Sequence, residues 1–107
     1  MAEVVEVTDE TFDAEVTQAE TLVAAEFYTQ FCPVCKRLTP VFEELASDYS
    51  GKAKFVKLDV ARAAESARTF AVMSAPSVLL LKTGQEVGRS VGYADKGKLA
   101  SMIDAQL

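Results

Sequence analysis

The sequence predicts an α/β fold: a mixed sheet with helices on both faces, in the order β-α-β-α-β-α-β-β-α. Three observations carry that prediction. Leu22–Thr29 and Ala53–Val60 are short, largely apolar runs of strand length, as central strands covered on both sides require. A long amphipathic helical stretch lies between them, so the two strands form a parallel, right-handed βαβ unit. Further on, Ser77–Leu81 and Glu86–Val91 flank Thr83-Gly84, a turn pair that folds two strands into an antiparallel hairpin.

Val4–Val7 opens the chain as a short strand. Thr8-Asp9 is placed to cap a short helix whose apolar stripe is Phe12 and Val16. The long helix runs from Cys32 to about Tyr49. Cys35, Leu38, Phe42, Leu45, Ala46 and Tyr49 recur at three- and four-residue steps, while Glu43, Glu44, Ser47 and Asp48 fall on the wet side. Pro40 lies inside this helix and is expected to kink it, because it lacks an N–H and clashes with the carbonyl four residues back. Ser50-Gly51-Lys52 ends the helix. Ala61–Ala71 is rich in alanine and predicted helical. Ala75-Pro76 leads into the next strand, Gly92-Tyr93 is a loop, and Asp95 caps a last helix with the stripe Leu99, Met102, Ile103 and Leu107. With no repeat, linker or low-complexity tract, one domain over residues 1–107 is expected.

A formal net charge of -5 argues against nucleic-acid binding, which draws its affinity from cations facing phosphates. No apolar run approaches the roughly 18 residues of a membrane span. Met1-Ala2-Glu3 shows neither a basic n-region nor an apolar h-region, so a cytoplasmic location is expected. In that compartment disulfides are transient and catalytic rather than structural. The chain has no histidine, which removes Ser-His, Cys-His and His-metal chemistry from a single copy.

Against that background stand the only two cysteines, in Phe31-Cys32-Pro33-Val34-Cys35-Lys36, between a predicted strand and a predicted helix. Thiol–disulfide exchange needs a thiolate that attacks and a second thiol that resolves the mixed disulfide. Cys32 falls at the helix start, where free N–H groups and the helix dipole stabilise negative charge, and Lys36 adds a cation four residues on. A thiolate near neutral pH is expected there. Cys35 lies one turn inward, within disulfide reach of Cys32 and less open to partners, which suits the resolving role. Pro33 suits the first helical position. Two other readings remain open: a pair of small buried hydrophobes, or half of a four-thiolate metal site completed by a second copy.

Glu26 interrupts the apolar run Leu22–Phe27, and Lys57 interrupts Phe55–Leu58. If the two strands are neighbours, these side chains meet beneath Cys35. A carboxyl taken out of water has a raised pKa, which would make Glu26 a proton acceptor for Cys35. The alternative is a carboxylate at an edge or pointing to solvent. Pro76 marks the entry to a strand, a place where proline is tolerated and where a cis X-Pro bond sets a tight turn.

Taken together, the strand leading into Cys-x-x-Cys-Lys, Pro40 in the helix that follows, Lys57-Leu58-Asp59, Ala75-Pro76-Ser77, Lys82-Thr83-Gly84 and Val91-Gly92 resemble the thioredoxin family over essentially the whole chain. The resemblance implies a thioredoxin fold, a five-stranded mixed central sheet flanked by four helices. It implies a protein-disulfide reductase that binds no cofactor and works through a redox-active Cys32–Cys35 disulfide, with Cys32 the nucleophile. Glu26 matches the family's buried carboxylate, Lys57 its lysine partner and Pro76 its cis-proline facing the disulfide. Phe31, Pro33 and Val34, with Ser74, Ala75, Val91, Gly92 and Tyr93, match the rim where substrate proteins dock. The implied partners are protein disulfides and a flavin-containing thioredoxin reductase, met by a monomer.

The chain departs from the family where the chemistry is set. The usual Trp-Cys-Gly-Pro-Cys is Phe31-Cys32-Pro33-Val34-Cys35 here, glutamate replaces the usual aspartate at Glu26, and the chain has no tryptophan. Pro33 directly after the attacking cysteine is similar to the Cys-Pro-Tyr-Cys of glutaredoxins. Because proline offers no N–H to the Cys32 thiolate, a potential above the thioredoxin value of about -270 mV is expected. The rival functions are therefore a glutaredoxin-like or more oxidising exchange, and a non-catalytic module that uses the same fold as a binding surface.

Overall fold

A computed structural model describes residues 3–107. The strands are β1 (Val4–Glu6), β2 (Leu22–Tyr28), β3 (Ala53–Asp59), β4 (Ser77–Lys82) and β5 (Gln85–Val91). They form one sheet in the order β1-β3-β2-β4-β5. The three strands β1, β3 and β2 are parallel, and β4 and β5 join antiparallel. The helices are a π-helical turn at Asp13–Thr17, α1 (Pro33–Asp48), α2 (Ala64–Thr69) and α3 (Lys96–Asp104). This is the expected mixed sheet with four helices.

Strand alternation assigns the helices to faces. Leu22, Ala24, Phe55, Val78 and Leu80 pack with Leu38, Phe42 and Leu45 of α1 and Leu99 and Ile103 of α3. The intervening residues Val23, Ala25, Phe27, Val56, Leu58 and Leu79 pack on the opposite face with Val16, Ala63 and Ala67. Both faces of β2 are covered, which is why its sequence reads as an unbroken apolar run apart from Glu26. Each large side chain buried there, such as Phe27 or Phe42, contributes about 1.5–3 kcal/mol of transfer free energy.

Local chemistry sets the ends of the elements. Asp95 caps α3 through Oδ1, which accepts the Lys98 N–H at 2.8 Å. Thr83 and Gly84 take positive φ values of 49° and 82°, the pattern of a type I′ hairpin turn. α1 continues through Pro40 to Asp48 and then gives way to Gly51 at φ 83°.

Three expectations need correction. α2 is shorter than Ala61–Ala71, because Asp59 turns the chain first: its carboxylate accepts the Ala61 N–H at 3.0 Å. Leu107 lies beyond α3 and is exposed, so the stripe of that helix ends at Ile103. Asp9 does not cap the helix that follows it. Its carboxylate reaches α2, accepting the Glu65 N–H at 3.1 Å, the Ser66 N–H at 2.9 Å and the Ser66 hydroxyl at 2.7 Å. The Ser66 hydroxyl and then the two amides hold the Asp9 carboxyl below its usual pKa. Ala63, at the N-cap position of α2, has no side chain that could do this, so the cap comes from 56 residues away in sequence. The Asp9→Ala variant is expected to melt several degrees below the parent, and Asp9→Asn to recover most of the loss. Thermal melts of the three proteins check this.

Candidate active site

β2 ends at Tyr28, and the chain reaches α1 through Thr29-Gln30-Phe31-Cys32. Gln30 anchors this crossing by donating from Nε2 to Asp59 Oδ2 at 2.7 Å, and the Val60 N–H donates to the Tyr28 carbonyl at 2.9 Å. Cys32 is the N-cap of α1, with extended backbone, and its Sγ accepts the Cys35 N–H at 3.1 Å. Pro33 occupies the first turn, where its missing N–H costs no helical bond. The Cys32 and Cys35 sulfurs are bonded to each other, with Cα atoms 5.2 Å apart. Cys35 is 4% exposed and belongs to the buried face of α1, whereas Cys32 is half-buried and opens to solvent.

A second loop closes over the sulfurs. The Ala75–Pro76 bond is cis, and the Ala75 carbonyl oxygen lies 3.9 Å from Cys32 Sγ. The Ser77 hydroxyl donates to the Ser74 carbonyl at 2.7 Å, and the Gly92 N–H donates to the Pro76 carbonyl at 2.8 Å. These bonds tie the loop before β4 to the loop after β5. The predicted rim therefore gathers in one place: Phe31 is 94% exposed, Val91 and Tyr93 are exposed, and Pro33 and Ser74 lie open beside them. Val34, Ala75 and Gly92 are half-buried behind this edge. Sequence reasoning missed Met73, which is 91% exposed on the same loop as Ser74. An apolar residue beside Ser74-Ala75-Pro76 was the signal available.

Beneath the disulfide lies Glu26. It follows Ala24 by two residues and therefore points to the α1 face, where it is 5% exposed. A recess of about 170 Å³ joins it to Cys35, with Tyr28, Lys36, Glu43 and Lys57 on its walls. Burial pushes the Glu26 carboxyl up from the ordinary 4.5 to about 7. Lys57 works against that shift and Glu43 adds to it. Glu6, Lys57 and Glu26 stand side by side in register across β1, β3 and β2. The Lys57 ammonium lies 3.9 Å from Glu6 Oε1 and 6.0 Å from the centre of the Tyr28 ring, and its charge acts on Glu26 through space, without an ion pair between the two. Glu6 is fixed in turn by the Tyr28 hydroxyl, which donates to both carboxylate oxygens at 2.9 and 3.0 Å. Among the described residues no group of three or more His, Cys, Asp or Glu side chains could hold a metal ion.

A pair of cysteines that bond to each other at the mouth of a helix, one sulfur open and one enclosed, defines a thiol–disulfide oxidoreductase. The family model for thioredoxin matches residues 3–105. Thioredoxin C-2 of Corynebacterium nephridii is 41% identical over 106 residues, spanning 99% of this chain and 98% of that one. Thioredoxin of Staphylococcus aureus is 42% identical over 104 residues, spanning 97% and 98%. The chain belongs to the thioredoxin family, and its activity is protein-disulfide reduction. Among the described residues no helix is long and apolar enough to cross a membrane.

Proposed function

We propose that residues 1–107 act as one thioredoxin-like unit in which Cys32 attacks protein disulfides and Cys35 resolves the adduct. The observation that carries these roles is the asymmetry of the two sulfurs. Cys32 is open, sits at a helix N-terminus and receives the Cys35 N–H at 3.1 Å, so its thiolate is the stabilised one. Cys35 is enclosed and is reached only by a group already bonded to Cys32.

The exchange runs in two displacements. The Cys32 thiolate attacks one substrate sulfur, and the other leaves as a thiolate that takes up a proton. Cys35 then loses its proton and attacks Cys32 Sγ, which expels the second substrate thiolate. Two electrons pass from the dithiol to the substrate, and the chain is left as the disulfide. Glu26 receives the Cys35 proton across the shared recess, because a carboxyl poised near 7 both accepts and releases a proton at neutral pH. Lys57 moderates the proton affinity of Glu26 from a distance. Pro76 holds the Ala75 carbonyl against the sulfurs, and Phe31, Pro33, Val34, Ser74, Ala75, Val91, Gly92 and Tyr93 receive the substrate. One chain supplies every one of these groups, so the unit works as a monomer. A flavin-containing thioredoxin reductase restores the dithiol, and the cytoplasm is the compartment whose reducing poise suits net reduction.

Insulin reduction tests this with two sources of electrons. Turnover is expected with NADPH and a flavin-containing thioredoxin reductase, and little with glutathione alone. The reverse result would move the chain to glutaredoxin-like exchange, the reading that Pro33 favours. Equilibrating the pair against glutathione in the same series measures the upward shift expected from the missing Pro33 N–H.

A further inference from the structure

The disulfide lies in a surface whose charge is opposite to that of the chain as a whole. Sixteen Asp and Glu residues give the protein a net charge of -5, yet segments 29–37, 71–76 and 91–94, which meet at the sulfurs, contain none of them, and neither does 60–63, the turn tied to the end of β2. They contain Lys36, Arg37 and Arg62 instead. All three are exposed, and none makes an ion pair among the described residues. Of the carboxyls that border these segments, Glu26 and Asp59 are buried beneath the surface and Asp95 caps α3, while Glu43 and Glu65 stand exposed further along α1 and on α2.

Geometry joins the cations to the apolar rim. The Arg37 guanidinium lies over the Tyr93 ring, 5.5 Å from its centre, which holds a positive charge against the edge that substrates touch. Arg62 lies on the turn after β3 that Gln30 ties to the end of β2. Phe31 and Met73 project almost fully exposed on either side of the sulfurs. We propose that this surface selects protein disulfides flanked by an apolar side chain and a cluster of carboxylates. The proposal rests on the reductase reading and adds the substrate class.

The physics favours this occupant over its opposite. Apolar contact with Phe31 and Met73 supplies affinity without regard to charge. Carboxylates beside the substrate cysteine meet Arg37, Lys36 and Arg62 as the interface loses water, where opposite charges attract more strongly. A basic flank meets the same three cations and is repelled. Such a field acts within about one Debye length, about 8 Å at physiological salt, so the preference is salt-dependent and local.

Two oxidised peptides, each closed by one disulfide with a phenylalanine beside one cysteine, test the proposal. They differ only in carrying three acidic or three basic residues next to that phenylalanine. The pre-reduced protein is mixed with each, and the second-order rate constant is read at low and at high salt. The acidic peptide is expected to react roughly fivefold faster or more at low salt, with the ratio shrinking at high salt. Arg37→Glu is expected to lower that ratio, Arg37→Gln to lower it less, and Arg37→Glu with Arg62→Glu to invert it. Equal rates for the two peptides at low salt, or a ratio that these variants leave unchanged, would overturn the proposal while leaving the reductase reading intact. If neither peptide is reduced, the reductase reading fails and this proposal fails with it.

Discussion

The Cys35→Ser variant is expected to stall as a mixed disulfide through Cys32, with multiple-turnover insulin reduction falling to background. The first displacement needs only the open Cys32 sulfur, its amide donor and the nearby Lys36, and all three survive the substitution. The second displacement needs a sulfur one helical turn inward, and serine has no comparable nucleophile there. Substrates therefore remain attached, as covalent adducts that run at higher mass without reductant and collapse to free protein with it. The reciprocal variant, Cys32→Ser, is expected to trap nothing and to reduce nothing, since Cys35 is 4% exposed and faces the core of α1. Non-reducing gels and intact-mass spectra of the two variants, each incubated with oxidised insulin, read the difference. Equal trapping by both variants would remove the assigned order of attack, because it would require Cys35 to meet substrate directly.

How far these roles are legible in the sequence depends on how local their causes are. Cys32, Pro33 and Cys35 act through one helix start, and their spacing alone places one sulfur at the mouth and one inside. Glu26 is legible for a related reason: a single carboxyl in an apolar strand has to be either buried or at an edge, and the neighbours of β2 on both sides decide for burial. The proposed docking edge is harder to read, because Phe31, Met73, Val91 and Tyr93 come from three separate stretches of chain that are brought together by the Ala75–Pro76 turn and the Gly92 N–H. Two features depend on partners that no local pattern announces. Asp9 caps a helix 56 residues away, and Lys57 faces, besides Glu26 in register on β2, Glu6 of the edge strand, whose carboxylate Tyr28 fixes. The residue types were the expected ones, and the target of the cap and the second carboxylate were not.

Glu26 also makes the fold sensitive to pH in a direction opposite to most carboxylates. A salt-bridged carboxylate has a lowered pKa and stabilises the fold as pH rises. Glu26 is raised from 4.5 to about 7 by burial, so between those values the folded chain holds a proton that the unfolded chain has released. Stability from this group is fully present below pH 4.5 and is lost as pH rises through 7. At roughly 1.4 kcal/mol per unit, the loss over that window is about 3 kcal/mol. Glu26→Gln removes the titration and keeps the shape. The gap in unfolding free energy between variant and parent, measured on the oxidised proteins, is therefore expected to move in favour of the variant by about 3 kcal/mol from pH 4 to pH 8. Taking the gap cancels the contributions of Asp9 and Glu86, whose lowered pKa values are common to both proteins. The same substitution is expected to slow the second displacement by on the order of 10²-fold and to erase the inflection near pH 7 in its rate, since the recess then holds no buried carboxyl poised near 7 to take the proton from Cys35. Denaturant titrations across pH and single-turnover resolution of a preformed Cys32 adduct measure the two effects separately. A variant that gains stability at high pH yet resolves at the parental rate would leave Glu26 as a buried charge with no part in catalysis. If both effects appear, one carboxyl destabilises the folded chain above neutral pH and serves as the proton acceptor that completes turnover.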